Sequence, residues 1–175
     1  VTDMLYGCYA LAEADKDFKA ELKAIAARYQ EIIDGLKLDL SLAEEFKTIE
    51  KNFKEKAGSD YAASRGEYLN GIIMAKYLGF EFVDSATVIF FKDNGEFDAE
   101  KTNKVLSAKL SKCEAAVVPG FYGAYASGKV KTFSRGGILC HFYFWIKDIF
   151  FDRNSFIRIL DILFSSIEKF SEIEI

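Results

Sequence analysis

Residues 64–83 read SRGEYLNGIIMAKYLGFEFV and join a helical pattern to a strand pattern. Tyr68, Ile72 and Ala75 recur at steps of three and four, which predicts a helix over residues 64–78 with these side chains on one face. Residues 80–83 are mostly aromatic and β-branched, as is typical of a short strand. A helix that leads directly into a strand favours an α/β arrangement.

The residues that follow continue this alternation. Residues 87–91 predict a second strand, and Asp98 can cap a helix that runs to about residue 112. An apolar run at 115–118 and an alternating segment at 129–133 predict further strands. We therefore expect an α/β sheet with helices on both faces.

The first third of the chain is expected to be helical. Apolar residues within 18–36 follow one helical face, and Gly35 lies where a glycine can close the helix. Ser41 stands three residues before Glu44, the spacing of a capping box, ahead of a second apolar stripe. Together these patterns predict a helical hairpin packed by one face of each helix.

Composition excludes several classes of protein. The chain has 175 residues, enough for one domain, and 50% of them are hydrophobic, which argues against intrinsic disorder. Its three cysteines are widely spaced, so a disulfide framework or a cysteine zinc site is not expected, and a reducing cytoplasm fits this usage. A single histidine excludes a multi-histidine metal site. A net charge of −4 argues against nucleic acid as the main partner, and no apolar run is long enough to predict a membrane span.

Two changes in composition mark the last third. Five of the 12 glycines fall within residues 120–137, directly after Pro119. Glycine lets the backbone approach a ligand closely, so this segment is a candidate site, although two ordinary turns would also explain it. Residues 138–175 then contain no alanine, glycine, valine or threonine and are rich in phenylalanine and isoleucine. This tail is expected to be an amphipathic helix or a foreign sequence, from a frameshift or a gene rearrangement, joined to a domain formed by residues 1–137.

Several motifs together carry a family resemblance. They are VTDML at 1–5, SRGEYL at 64–69, VPGFYG at 118–123 and KTFSRGG at 131–137. In this order and spacing residues 1–137 resemble part of the catalytic domain of aspartate kinase, in the amino-acid kinase superfamily. The resemblance implies a mainly parallel sheet sandwiched by helices, with residues 17–57 as a helical insertion. It also implies transfer of phosphate from MgATP to the side-chain carboxylate of L-aspartate, which gives 4-phospho-L-aspartate for lysine, threonine and methionine synthesis.

The resemblance also assigns substrate-binding residues. It implies that Thr2 helps to hold aspartate, that Glu67 pairs with the substrate ammonium, and that Phe121 lies beside the bound amino acid. Thr132 belongs to the substrate loop, and Arg135 grips a substrate carboxylate. The glycines of the same loops are Gly120, Gly136 and Gly137. We expect Glu67, Phe121, Thr132 and Arg135 to converge on one concavity.

Each assignment has an ordinary structural alternative. Thr2 could be a helix N-cap, Glu67 an acid in the first turn of a helix, and Arg135 a surface residue in a turn.

The sequence also departs from the family. We expect it to lack the family's first strand and its Lys-Phe-Gly-Gly loop, and Ile138 and Leu139 stand where the family has Ser-Asp. The region that builds most of the nucleotide pocket in the family is replaced by residues 138–175. We therefore assign no catalytic residue and no metal ligand, and we do not expect firm MgATP binding. The retained part is the half that recognises L-aspartate.

Two other functions remain open. One is a different amino-acid kinase, such as an acetylglutamate kinase or a glutamate 5-kinase. The other is a non-catalytic protein that binds an amino acid or, through the apolar tail, a partner. A sheet edge left open by the expected loss of the first strand would also favour association into a homo-oligomer.

We predict that this chain alone does not phosphorylate aspartate at a useful rate. One well-placed cation is worth about 10³–10⁵ in the rate of phosphoryl transfer, and Ile138 and Leu139 can neither help to bind Mg²⁺ nor donate to phosphate. The measurement is ADP release coupled to a reporter enzyme, with aspartate and MgATP. Aspartate-dependent turnover of about 1–100 s⁻¹, the range typical of kinases, would contradict the prediction.

Overall fold

The computed structural model describes residues 1–133, which form a mixed α/β structure. The helices are α1 (Thr2–Glu13), α2 (Lys19–Gly35), α3 (Ala43–Lys54), α4 (Ser59–Leu78) and α5 (Ala99–Leu110), with a 3₁₀ helix at Ser85–Thr87. The strands are β1 (Glu81–Phe82), β2 (Phe90–Phe91), β3 (Ala116–Val117), β4 (Tyr122–Tyr125) and β5 (Val130–Thr132). The boundary expected at residue 137 and the helical tail expected over 138–175 lie outside the described residues.

The strands form two small sheets. β1 pairs in parallel with β3, and Glu81 is opposite Ala116. β2 pairs in parallel with β4, while β4 and β5 form an antiparallel hairpin in which Tyr122 is opposite Thr132. Parallel pairs need a crossover connection, and α5 lies within the crossover between β2 and β4. In the described part of the chain, two of the three strand pairs are parallel and the third is an antiparallel hairpin.

The core lies between α4 and the three helices that precede it. Phe53 of α3 is fully buried, and its ring centroid lies 5.4 Å from that of Tyr9, 6.0 Å from that of Phe18 and 6.2 Å from that of Tyr61. The predicted apolar face of α2 is confirmed, because its buried residues are Leu22, Ile25, Tyr29 and Ile33. That α2 and α3 are an insertion in the family fold stays a prediction.

The ends of α2 and α3 differ from the sequence prediction. Gly35 is the last residue of α2, but the left-handed conformation that a closing glycine would adopt falls on Lys37, with φ 53°. The capping box was wrong as well, because α3 begins at Ala43 and Leu42 occupies the N-cap. Ser41 lies one residue before the N-cap position, and its Oγ accepts a hydrogen bond of 3.3 Å from the Ala43 N–H.

The strand expected over 87–91 is shortened by a local turn. The carbonyl oxygen of Asp84 accepts from the Thr87 N–H at 2.9 Å and from its hydroxyl at 2.6 Å. The Asp84 carboxylate also accepts from the Ala86 N–H at 3.0 Å. These bonds favour a 3₁₀ helix over extended backbone, so only Phe90–Phe91 pairs as strand.

Other boundaries follow the prediction more closely. Asp98 caps α5 as expected, since its carboxylate accepts from the Lys101 N–H at 3.0 Å. α4 begins five residues earlier than residue 64 and ends at Leu78, and its C-cap Gly79, with a left-handed φ of 72°, turns the chain into β1. None of the helices in the described residues is long and apolar enough to cross a membrane.

Gly123 is the position in β4 where a side chain is least tolerated. A Cβ placed there would lie 2.5 Å from the carbonyl oxygen of Ile89. We expect Gly123→Ala to lower the free energy of unfolding by about 1–3 kcal/mol, because the backbone must shift to relieve the overlap. Urea denaturation measures this change.

The matched control is Gly7→Ala on α1, where a Cβ meets no atom within 4 Å. Alanine should leave stability unchanged or raise it by about 0.5–1 kcal/mol, since glycine is a poor helix former. Equal destabilisation by both substitutions would contradict the proposed overlap at Gly123.

Candidate functional site

One face of α4 contacts two segments that carry predicted site residues. Asp60, Glu67 and Gly71 are spaced by seven and four residues, so they lie along the same side of the helix. At the start of this face, the Thr132 hydroxyl donates to Asp60 Oδ1 at 2.6 Å. Further along it, a Cβ on Gly71 would lie 2.7 Å from Pro119 Cγ, so the glycine lets the loop before β4 approach closely. The exposed Glu67 lies between these two contacts.

Thr2 lies beside the turn of α4 that carries Glu67. A Cβ on Gly66 would be 3.6 Å from Thr2 Oγ1. Thr2 is the first residue of α1 and Val1 is its N-cap, so Thr2 is not an N-cap itself. The Tyr29 hydroxyl donates to the carbonyl oxygen of Gly66 at 3.1 Å, and burial, with a smaller contribution from the charge of Glu67, raises the pKa of Tyr29. Tyr29 therefore stays a neutral donor that holds this turn.

The β4–β5 hairpin joins Phe121 to the segment that contains Thr132. Phe121 is half-buried and directly precedes β4, and its carbonyl oxygen accepts from the Phe133 N–H at 3.0 Å. Gly120 precedes it and is also half-buried. The hairpin register therefore places the backbone of Phe121 next to that of the residue after Thr132.

Three predicted site residues lie outside the described part of the chain. Arg135, Gly136 and Gly137 lie beyond residue 133, so their placement stays a prediction. Among the described residues, Glu67 lies on α4, Thr2 and Thr132 contact α4 directly, and Phe121 lies in the loop that Pro119 packs against α4.

Arg65 of the SRGEYL motif is a buried charge to which the family resemblance assigns no role. Arg65 is only 5% exposed. Its guanidinium carbon lies 4.5 Å from the ring centroid of Tyr61, 4.4 Å from that of Tyr68 and 5.4 Å from that of Tyr122. The guanidinium also donates to the Ser64 hydroxyl at 2.9 Å. The faces of tyrosine rings stabilise a desolvated cation, so this cluster compensates part of the cost of burial.

Part of this cluster can be recognised in the sequence. Tyr61 and Tyr68 stand four residues before and three residues after Arg65, which places all three on one helical face. Tyr122 completes the cluster from β4, and no local pattern connects it with α4.

Asp84 and Tyr122 form a second polar contact that the sequence did not indicate. The Tyr122 hydroxyl donates to Asp84 Oδ1 at 2.8 Å, and the tyrosine is fully buried. Burial, and then the charge of Asp84, raise the pKa of Tyr122, so the hydroxyl keeps its proton and remains a donor.

The residues that the family resemblance assigns to the site carry groups that can bind an organic ligand. Within residues 1–133, no three side chains of the types His, Cys, Asp and Glu gather closely enough to hold a metal ion. The predicted site residues carry an exposed carboxylate at Glu67, hydroxyls at Thr2 and Thr132, and an aromatic ring at Phe121. Such groups can bind an amine and the polar part of a small molecule.

Comparison with solved structures finds aspartate kinases among the structural neighbours. The crystal structure of Clostridium acetobutylicum aspartate kinase matches 78% of this chain with 49% sequence identity and a TM-score of 0.73. The resemblance to aspartate kinases is therefore confirmed. The chain spans 32% of the length of that aspartate kinase. No protein-family model and no curated protein sequence match the chain.

Two crystal structures of one further aspartate kinase share the fold. Escherichia coli aspartokinase III in complex with aspartate and ADP matches with a TM-score of 0.58 and 22% identity, over 78% of this chain and 35% of its own. The same enzyme in complex with lysine and aspartate matches with a TM-score of 0.53 and 18% identity, with the same coverage. At these identities the likeness concerns the fold alone.

The Thr132–Asp60 bond should contribute measurably to stability. Thr132→Val keeps the shape of the side chain but leaves the half-buried Asp60 carboxylate without this donor. We expect the free energy of unfolding to fall by about 1–2 kcal/mol in urea denaturation.

Thr48→Val is the matched control. The Thr48 hydroxyl donates to the Glu44 carbonyl on the exposed surface of α3, and we expect a change within about 0.5 kcal/mol. If both substitutions have the same effect, the bond to Asp60 does not hold β5 against α4.

Proposed function

We propose that residues 1–133 form the L-aspartate-binding part of an aspartate kinase catalytic domain. The observation that carries this proposal is the shared face of α4, where Asp60 binds Thr132, Gly71 admits the loop before Phe121, and Glu67 lies between them. The 49% identity with an aspartate kinase supports the same assignment.

The side chains on this face match the groups of an amino acid. The Glu67 carboxylate is exposed and suited to bind an ammonium by a charge-assisted hydrogen bond. The Thr132 hydroxyl uses its single proton on Asp60, so toward a ligand its oxygen would act as an acceptor. Glu67 would therefore accept from the ammonium of the amino acid, and Thr132 from another donor of the ligand.

The carboxylates of the ligand need donors from other segments. Thr2 begins α1, and its hydroxyl and the free N–H groups of the first helical turn can donate to an anionic group. Arg135 would supply a bidentate guanidinium, which is suited to a carboxylate. Phe121 would form the apolar wall beside the carbon chain of the ligand.

A complete catalytic domain of this kind would bind a nucleotide as well as an amino acid. Aspartokinase III was crystallised with aspartate and ADP, which supports an amino acid and a nucleotide as the two substrates of a complete domain. No catalytic residue or metal ligand is assigned within residues 1–133, so we assign no step of phosphoryl transfer to these residues. Aspartate binding without transfer is the second candidate function, and Ile138 and Leu139, which carry no metal-binding oxygen, favour it.

Replacement of Glu67 tests the ammonium contact. We expect Glu67→Gln to raise the calorimetric Kd for L-aspartate at least about tenfold, because a hydrogen bond between two charged groups becomes one between a charged and a neutral group. Glu114→Gln is the control, since Glu114 is an exposed carboxylate outside the proposed site.

Succinate sharpens this test because it has both carboxylates of aspartate and no ammonium. The wild-type chain should prefer aspartate to succinate, and Glu67→Gln should reduce that preference. The proposal is wrong if the wild-type chain does not bind L-aspartate, or if Glu67→Gln and Glu114→Gln bind it equally well.

A further inference from the structure

The loop that carries Phe121 is attached at both ends to one turn of the chain. At its start, the buried Ser85 hydroxyl donates to the carbonyl oxygen of Pro119. At its end, the Tyr122 hydroxyl donates to Asp84 Oδ1 at 2.8 Å. Asp84 and Ser85 are consecutive residues, so residues 119–122 are held by the 84–85 turn on both sides of Phe121.

The turn that holds the loop is itself fixed. Asp84 Oδ1 also accepts from the Ala86 N–H at 3.0 Å, which orients the carboxylate. Three further backbone bonds from Thr87, Val88 and Ile89 to residues 84 and 85 close the 3₁₀ helix. A carboxylate fixed by its own backbone is a well-defined acceptor for Tyr122.

Tyr122 also connects this turn with α4. Its ring centroid lies 5.4 Å from the guanidinium carbon of Arg65, which stands two residues before Glu67 on α4. The ring is fully buried, so its position depends on both the Arg65 contact and the bond to Asp84. The connection Asp84–Tyr122–Arg65 thus spans from the Phe121 loop to the helix that carries Glu67.

We propose that Asp84 is a positioning residue for amino-acid binding, which holds Phe121 at a fixed distance from Glu67 through the hydroxyl of Tyr122. This inference rests on the proposed function. Asp84 does not itself touch the ligand. Its oxygen, rather than its charge, performs the role, because the partner is a neutral hydroxyl.

Four substitutions separate this role from general stability. Tyr122→Phe removes the hydroxyl and keeps the ring against Arg65, and Asp84→Ala removes the acceptor. Asp84→Asn keeps an oxygen that can accept from both Tyr122 and Ala86. Tyr77→Phe removes a hydroxyl from a residue that is 48% exposed and serves as the control.

Hydrogen exchange and calorimetry are applied to each variant of the full chain. Hydrogen exchange of the amides in residues 120–123 reports the loop directly, and calorimetry gives the Kd for L-aspartate. In Tyr122→Phe and Asp84→Ala we expect faster exchange in this loop and a Kd raised about five- to tenfold, as suits the loss of one hydrogen bond. Asp84→Asn and Tyr77→Phe should behave as wild type, and a thermal melt shows whether each variant is folded.

The outcomes distinguish this inference from the proposed function. If the wild-type chain does not bind aspartate, the proposed function fails, and the role of Asp84 as a ligand-positioning residue fails with it, whatever the exchange shows. If the wild-type chain binds but Tyr122→Phe changes neither loop exchange nor Kd, the positioning role alone is overturned. It is also overturned if Asp84→Asn is as impaired as Asp84→Ala, because the charge would then be what matters.

Discussion

The buried guanidinium of Arg65 constrains the packing of the described structure. Removing a charge from water costs several kcal/mol unless the protein supplies compensating contacts. Here the contacts come from three tyrosine rings and the Ser64 hydroxyl. Tyr61 and Tyr68 lie on α4 itself, but Tyr122 lies on β4, so the cation is fully surrounded only when helix and strand meet.

This meeting of α4 and β4 orders the surrounding segments. Once Tyr122 lies against Arg65, its hydroxyl reaches Asp84, and the Asp84–Ser85 turn fixes the loop that begins at Pro119. Gly71 allows the same loop to approach α4 because a larger residue would overlap Pro119. The hairpin then brings Thr132 to Asp60 at the start of the helix. The candidate site is thus a consequence of how α4 is buried.

Local patterns predicted the parts of the fold that depend on neighbouring residues. The apolar face of α2 and the Asp98 cap of α5 follow from spacings of a few residues, and the structure confirms both. The strand expected over 87–91 was mostly wrong, because side-chain and backbone bonds of Asp84 turn the chain before it can extend. Ser41 does not cap α3 because the capping side chain must stand directly before the first helical residue, and Leu42 occupies that position.

The candidate site depended on a different kind of information. Glu67, Phe121 and Thr132 were named through the family resemblance, since no periodicity relates them. The bond between Thr132 and Asp60 joins residues 72 positions apart, and the contact of Tyr122 with Arg65 is also distant in sequence. Such contacts form only in the folded chain, so single-sequence patterns leave them out.

Hydrogen exchange of the full chain with and without saturating L-aspartate tests the central claim most directly. If the segments packed against α4 form an amino-acid site, aspartate should slow amide exchange in the peptides that cover residues 1–5, 64–70, 119–123 and 129–133. Exchange in α5 and on the outer face of α3 should remain unchanged. An absence of protection in these four segments, or protection confined to other parts of the described chain, would contradict the account.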